Sequence, residues 1–205
     1  MTELNHGTNG RVAFEAGWVT QLFPRHQTMR PGKWKASRGV KTILKISDRI
    51  KKIRNHRSDF HAEAEDIVWL DGSGRRTDVF LQDASANGHD CRGTYELVVL
   101  EHFPLRSVEA FLIKMKRGDV VVAGKSASQR YFRLRNSDGR AMSDMSAPLK
   151  AALDYHAAQF ASDPVLMELH ERCCAAHAAR AKALLAEPDY RQQYDALLGL
   201  MAEDA

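Results

Sequence analysis

Hydrophobic and polar positions divide the chain into three regions. Residues 1–37 are interrupted by glycine or proline at six positions and predict little regular structure. Between residues 40 and 135, short apolar segments alternate with polar turns, a pattern typical of strands. From about residue 144, alanine, leucine and acidic residues dominate, glycine nearly vanishes, and the pattern favours helices.

The segment from Val40 to Arg54 carries two overlapping patterns. Up to Ile46 its apolar residues alternate with lysines, as in a strand with one buried face. From Ile43 they instead follow the three- and four-residue spacing of an amphipathic helix. A strand ending at Ile46, followed by a short helix capped by Ser47, satisfies both patterns. This interpretation turns five apolar side chains inward: Val40, Leu44, Ile46, Ile50 and Ile53.

The remaining pattern completes the predicted fold. We predict a hairpin around the Asp-Gly-Ser-Gly turn at 71–74, strands at 95–102, 118–123 and 130–135, and a helix at 105–116. Prolines at 164 and 188 predict helix starts, which gives helices at 147–161, 164–186 and 188–202. The predicted class is α+β. A mixed or antiparallel sheet with flanking helices occupies residues 1–143, and a helical bundle or appendage occupies residues 144–205.

Composition narrows the class of protein. The 205 residues are 44% hydrophobic and 27% charged, which is typical of a globular chain. No apolar run approaches the ~20 residues that a membrane-spanning helix needs, and the first ten residues carry no secretory-signal pattern. Three cysteines, two of them adjacent, fit a reducing compartment better than a disulfide framework. We therefore expect a soluble, cytoplasmic protein that does not contact a membrane.

Charge is strongly polarised along the chain. Between residues 33 and 57, ten lysines and arginines accompany one acid, Asp48, although the whole chain carries a net charge of only +4. The last 65 residues hold five basic and ten acidic side chains. Polarised charge of this kind indicates a polyanionic partner.

Nucleic acid is the partner that the basic segment favours. Lysine and arginine neutralise phosphates, and Trp34 between two lysines is suited to stack on an exposed base. The predicted nucleic-acid-binding residues are Lys33, Trp34, Lys35, Arg38, Lys41, Lys45, Arg49, Lys51, Lys52, Arg54 and Arg57. Three alternatives remain open for this segment: charge pairing with the acidic C-terminal helices, an acidic protein surface, or an anionic small molecule or membrane surface.

Two carboxylates at predicted strand positions resemble the core of the PD-(D/E)xK nucleases. Asp78 follows a turn, and Glu101 lies on the next apolar strand. The resemblance implies that both bind one divalent ion, which activates water for attack on a phosphodiester. The family's lysine, two residues after the glutamate, is Phe103 here, and Thr77 stands at the proline position. The alternative is that both acids simply lie at strand ends.

Histidine and cysteine recur on the predicted helix after residue 164. His170 and Cys174 are four residues apart and therefore able to bind one zinc ion together, as are Cys173 and His177. The remaining ligands would have to come from elsewhere in the chain, with Cys91, His89 and His102 as candidates. Packing of this face against another helix, with buried thiols, is the alternative.

A third motif lies near the N-terminus. His6-Gly7-Thr8 resembles the first motif of the ADP-ribosyltransferases, in which the histidine and the hydroxyl contact the nicotinamide nucleotide. In that family the motif ends an apolar strand, whereas residues 2–5 here are largely polar.

Together these observations predict a non-enzymatic protein without cofactors. It binds DNA or RNA, or a nucleoprotein complex, through residues 33–57. Its C-terminal helices are expected to contact a protein partner or a second copy of the chain. A metal-dependent nuclease that uses Asp78 and Glu101 is one alternative. An inhibitor or adaptor that binds an acidic protein surface is the other.

Overall fold

A computed structural model describes residues 2–27, 41–54, 56, 58–61, 67–77, 94–119, 123–136 and 142–203. The chain forms two compact units, Met1–Leu4 with Met29–His102 and Asn5–Thr28 with Phe103–Ala205. The predicted division between residues 143 and 144 does not coincide with these units. Helices on both sides of that position pack together in the second unit.

Helices and short strands alternate along the described chain. In order they are β1 (Thr2–Asn5), α1 (Val19–Leu22), β2 (Arg25–Gln27), β3 (Ile50–Lys52), β4 (Asp59–Phe60), β5 (Val99–His102), α2 (Val108–Arg117), α3 (Gln129–Arg135), β6 (Met142–Asp144), α4 (Ala147–Ala161), α5 (Pro164–Leu185) and α6 (Pro188–Glu203). β1 pairs with β5, while β2–β6 and β3–β4 are antiparallel pairs. The predicted α+β class is confirmed. Among the described helices, none combines the length and the apolar character needed to cross a membrane.

The three C-terminal helices begin where the sequence predicts. The Asp163 side chain accepts hydrogen bonds from the amides of Val165 and Leu166, at 2.9 and 3.1 Å, and Pro164 occupies the first turn of α5. These contacts satisfy backbone donors that have no partner within the helix. Local capping chemistry therefore explains where α5 begins.

Aromatic and leucine side chains from four helices form the core of the second unit. Phe111 of α2 and Phe132 of α3 are fully buried, with ring centroids 5.1 Å apart. Leu184 of α5 and Leu197 of α6 pack into the same cluster. Residues on both sides of position 143 therefore contribute to one core.

Three predicted elements have a different structure. Residues 130–135 were expected to form a strand but lie in α3, because the Ser128 hydroxyl accepts from the Tyr131 amide at 3.2 Å and caps a helix. The helix predicted from Ser47 is absent, because the Ile50 amide donates to the Ser47 carbonyl in a turn and residues 50–52 then pair with β4. Residues 41–47 form no regular strand. The hairpin turn at 71–74 is confirmed by an antiparallel bridge between Leu70 and Arg76.

Candidate nucleic-acid interface

Six of the eleven predicted binding residues, all of them cations, lie within the described part of the first unit. Arg57 and the four predicted residues between 33 and 38, namely Lys33, Trp34, Lys35 and Arg38, lie outside the described residues. The six described residues form what we call the basic surface: Lys41, Lys45, Arg49, Lys51, Lys52 and Arg54.

A short hairpin carries part of the basic surface. Its strand β3 pairs with β4 through Ile50 opposite Phe60, with an irregularity before Lys52 opposite Asp59. The His61 amide donates to the Arg49 carbonyl at 3.0 Å and extends this pairing. Arg49, Lys51 and Lys52 are therefore held on paired backbone, whereas Lys41 and Lys45 lie in the irregular segment before it.

Most cations of the basic surface face solvent. Lys41 is half-buried, and the other five are exposed. The Nε of Arg54 lies 2.6 Å from Oδ2 of Asp59, so this guanidinium is partly neutralised. Lys45, Lys51 and Lys52 form no salt bridge within the part of the chain that the structure describes. These three ammonium groups are thus available to an external anion.

A groove of about 500 Å³ lies next to the basic surface. Phe60 and Trp69 line it with half-exposed rings, their centroids 5.8 Å apart and their planes at 88°. Cationic residues line the same groove, namely Lys41, Lys45 and Arg49. Aromatic rings and cationic side chains therefore line the same groove.

Isoleucines of this segment are far more exposed than predicted. Ile43, Ile46 and Ile53 are 75%, 73% and 67% exposed. The expectation that Ile46 and Ile53 point inward is wrong, because both presupposed elements are replaced by an irregular segment and a three-residue strand. Leu44 and Ile50 are half-buried, and Val40 lies outside the described residues.

The turn at 71–75 also lines the groove, through Asp71, Gly72 and Gly74. Burial of Asp71 acts to raise the pKa of its carboxyl, but hydrogen bonds from the amides of Arg75 and Ser73 and from the Arg75 guanidinium lower it overall. Gly72 is also required, since a Cβ there would lie 1.9 Å from the Thr94 carbonyl oxygen. The amides of Leu97 and Val98 donate to the Gly72 carbonyl and fix this close approach.

Only one of the two predicted nuclease carboxylates lies within the described residues. Glu101 is half-buried on β5, whereas Asp78 lies outside the described residues. On the same strand, Nδ1 of His102 lies 3.2 Å from the buried carboxylate of Glu3. Within the described ranges, no group of three histidine, cysteine or acidic side chains is arranged to bind a metal ion.

The His6-Gly7-Thr8 motif lies in the interior of the second unit. Nδ1 of His6 is 2.7 Å from the Phe23 carbonyl oxygen, which only accepts, so this nitrogen carries the proton. The His6 ring also stacks on Phe103 at 4.1 Å. The Thr8 hydroxyl donates to Oδ1 of Asn136 at 3.0 Å. Burial and internal hydrogen bonding give both side chains a packing role.

The predicted metal pair is brought together on α5. Sγ of Cys174 lies 3.6 Å from Nε2 of His170, as the four-residue spacing requires. Contrary to the expectation of buried thiols, Cys173 is exposed and Cys174 is half-buried. Of the ligands expected from elsewhere in the chain, Cys91 and His89 lie outside the described residues.

No family model matches this sequence, and no curated protein or solved structure is significantly similar to it.

Proposed function

We propose that the protein binds single-stranded nucleic acid through the basic surface and the adjoining groove. One observation carries this proposal. Lys45, which is exposed and forms no salt bridge among the described residues, lines a groove walled by Phe60 and Trp69, and two further lysines of this kind, Lys51 and Lys52, lie on the nearby strand β3. Proteins that bind single strands combine a positively charged groove with aromatic side chains on which bases stack.

Single strands fit this arrangement better than duplex DNA. In a duplex the base faces are stacked on one another, so Trp69 and Phe60 would have nothing to stack on. A single strand exposes its bases and contributes phosphates that the lysines neutralise. No recognition helix is present among the described residues of the first unit, so readout of a duplex groove has no structural support there.

Fluorescence anisotropy with a labelled single-stranded oligonucleotide and its duplex tests the proposal. We expect tighter binding of the single strand and a steep fall in affinity with salt. Trp69→Leu should weaken single-strand binding by about tenfold while leaving the salt dependence unchanged, because one base–aromatic stack contributes ~1–3 kcal/mol. Trp18→Leu, in the second unit, is the matched control. Absence of binding to either form at low salt would exclude the proposal.

A second candidate function is contact with an acidic protein surface. The exposure of Ile43, Ile46 and Ile53 beside the lysines supports it, because exposed apolar patches mark protein interfaces. A synthetic amphipathic helix of leucine and glutamate is a suitable probe. For this candidate, Ile43→Ser and Ile46→Ser should weaken peptide binding and leave oligonucleotide binding intact.

A further inference from the structure

A cavity of about 210 Å³ lies in the second unit, between the irregular segment at 11–18 and helix α5. Its apolar wall includes Phe14, Leu22 and Ala110. Its polar lining is unusually rich in reactive and basic groups: Arg106, His170, Cys173, Cys174 and His177. A cavity of this size accommodates a small organic molecule.

Helical periodicity explains why four of these groups meet. Residues separated by three, four and seven positions share one face of a helix. His170, Cys173, Cys174 and His177 have this spacing on α5, and all four line the cavity. The thiol of Cys174 and Nε2 of His170, 3.6 Å apart, are the pair in hydrogen-bonding contact.

The opposite wall is held in place by helix α2. The Val108 and Glu109 amides donate to the carbonyls of Arg11 and Val12, at 3.3 and 3.1 Å. The Glu109 carboxylate in turn accepts from the Phe14 amide at 2.7 Å. These bonds fix the segment across the first turn of α2, so the cavity exists before any ligand enters.

Two aromatic rings of that segment pack on the histidines. Phe14 lies 4.6 Å from His177, and Trp18 stacks on His170 at 4.5 Å with planes 20° apart. Stacking on Trp18 orients the His170 ring with Nε2 towards Cys174. The imidazole is therefore positioned to accept the thiol proton.

The charge of the cavity is positive. Arg11 is occupied, since it pairs with Glu15 and donates to the Leu22 carbonyl at 2.7 Å. Arg106 is exposed, forms no ion pair with the described residues, and adopts a left-handed backbone with φ of 62°. Such a conformation is uncommon for a residue other than glycine.

His177 adds an unsatisfied group to the same wall. Its Nε2 is buried and has no hydrogen-bond partner among the described residues. Burial and the nearby Arg106 guanidinium lower the pKa of His177, so its ring is neutral near pH 7. A neutral imidazole leaves Arg106 as the positive charge that a ligand meets.

We propose that Cys174 is a reactive thiol, with His170 as its proton acceptor, and that the cavity admits small disulfides that carry carboxylates. Nε2 of His170 takes the thiol proton, and the Cys174 thiolate attacks one sulfur of the disulfide. A new bond forms between Sγ and that sulfur, the original sulfur–sulfur bond breaks, and the other half leaves as a thiolate. Cys174 is oxidised to a mixed disulfide, and the small disulfide is the oxidant. Arg106 attracts its carboxylate.

Cys173 provides an internal comparison. It lines the same cavity and is more exposed than Cys174, yet it makes no hydrogen bond within the described part of the chain. If exposure alone governed reactivity, Cys173 would react faster. If the imidazole governs it, Cys174 reacts faster.

The test compares two full-length variants that each keep one of these thiols. Both carry Cys91→Ser; one adds Cys173→Ser and the other Cys174→Ser. The reaction is followed by the absorbance of the released half of each probe: the coloured thiolate of dithiobis(nitrobenzoate), which is anionic, and the thiopyridone of dithiodipyridine, which is neutral at pH 7. We expect Cys174 to react with the anionic probe about tenfold faster than Cys173.

Two further substitutions separate the roles. In the protein that keeps Cys174, His170→Asn should slow both probes by about tenfold and shift the pH–rate profile upward. Arg106→Gln should slow the anionic probe by about fivefold, as expected for one nearby charge, and leave the neutral probe unaffected. Equal rates for Cys173 and Cys174, or an unchanged profile in His170→Asn, would overturn the proposal. Arg106 is exposed and lies outside α5, so we expect Arg106→Gln to fold. The rates of this variant with the two probes therefore test the proposal even if His170→Asn unfolds.

Discussion

Replacing Lys45, Lys51 and Lys52 together with alanine tests the proposed nucleic-acid interface most directly. All three side chains are exposed, and none forms a salt bridge with another described residue. The substitutions therefore remove charge without leaving an unpaired acid behind. We expect the fold to be unaffected, because surface substitutions of this kind usually change stability by less than about 0.5 kcal/mol.

The expected loss follows from counterion release. On a single strand, each neutralised phosphate adds about 0.7 to the slope of log Kobs against log salt, so three contacts add about 2. In about 0.1 M salt, the same three contacts correspond to roughly a hundredfold in affinity. Anisotropy titrations of a labelled oligonucleotide at several salt concentrations give both quantities from one data set.

A charge-matched control is available in the second unit. Lys150, Arg172 and Arg191 are exposed, and each pairs with an acid four residues away. Replacing these three with alanine changes the net charge by the same amount. We expect little effect on the salt slope. Equal losses in the two triple variants would show that net charge alone drives binding, and an unchanged slope in the first would refute the assigned interface.

Three further predictions concern stability. Phe132→Ala should lower the free energy of unfolding by about 3–5 kcal/mol, because it empties a fully buried site, whereas Leu134→Ala on the same helix should cost far less. Gly72→Ala should unfold the turn of the first unit, since its Cβ would lie 1.9 Å from the Thr94 carbonyl oxygen, and hydrogen exchange at residues 94–98 should accelerate. Burial and neighbouring arginines lower the pKa of Lys114 to about 8, so stability should rise with pH from about 8 to 10.5, and Lys114→Met should abolish that rise.

Each of these predictions has a decisive measurement. Urea unfolding compares the two α3 variants, and equal losses for Phe132 and Leu134 would contradict the core assignment. Unchanged exchange in the Gly72 variant would show that the Thr94 backbone can move away. For Lys114 the sign is fixed, because the unfolded chain binds the proton more tightly than the folded one between the two pKa values. If the stability of the parent falls with pH over this range while that of Lys114→Met does not, the predicted sign is wrong.

Local chemistry explains which elements the sequence predicts well. The starts of α4, α5 and α6 rest on proline and on the Asp163 cap, interactions within a few residues. Residues 130–135 and 47–54 were predicted wrongly because their patterns fit both periods. A serine resolves each case, as a helix cap at Ser128 and as a turn carbonyl at Ser47. In the second case β3 also pairs with β4, and no local sequence pattern predicts this pairing.

The two candidate sites differ in how much of each can be predicted from the sequence. The cations of the basic surface and the four-residue spacing of His170 and Cys174 are visible in the chain. The contribution of Arg106 to the cavity is not, because it depends on contact between α2, the 11–18 segment and α5. A backbone with positive φ at an arginine also leaves no trace in composition. Long-range packing assembles this cavity from residues whose individual patterns are ordinary.

The way the chain enters the second unit twice sets a limit on how early that unit can fold during synthesis. Strand β2 pairs with β6, Arg25 opposite Asp144. A ribosome that adds about 5–20 residues per second takes roughly 6–24 seconds to make the chain between them. For that time β2 has no partner strand, so its backbone is exposed to proteases and chaperones. The first unit, made in this interval, has all of its residues available before the second can close.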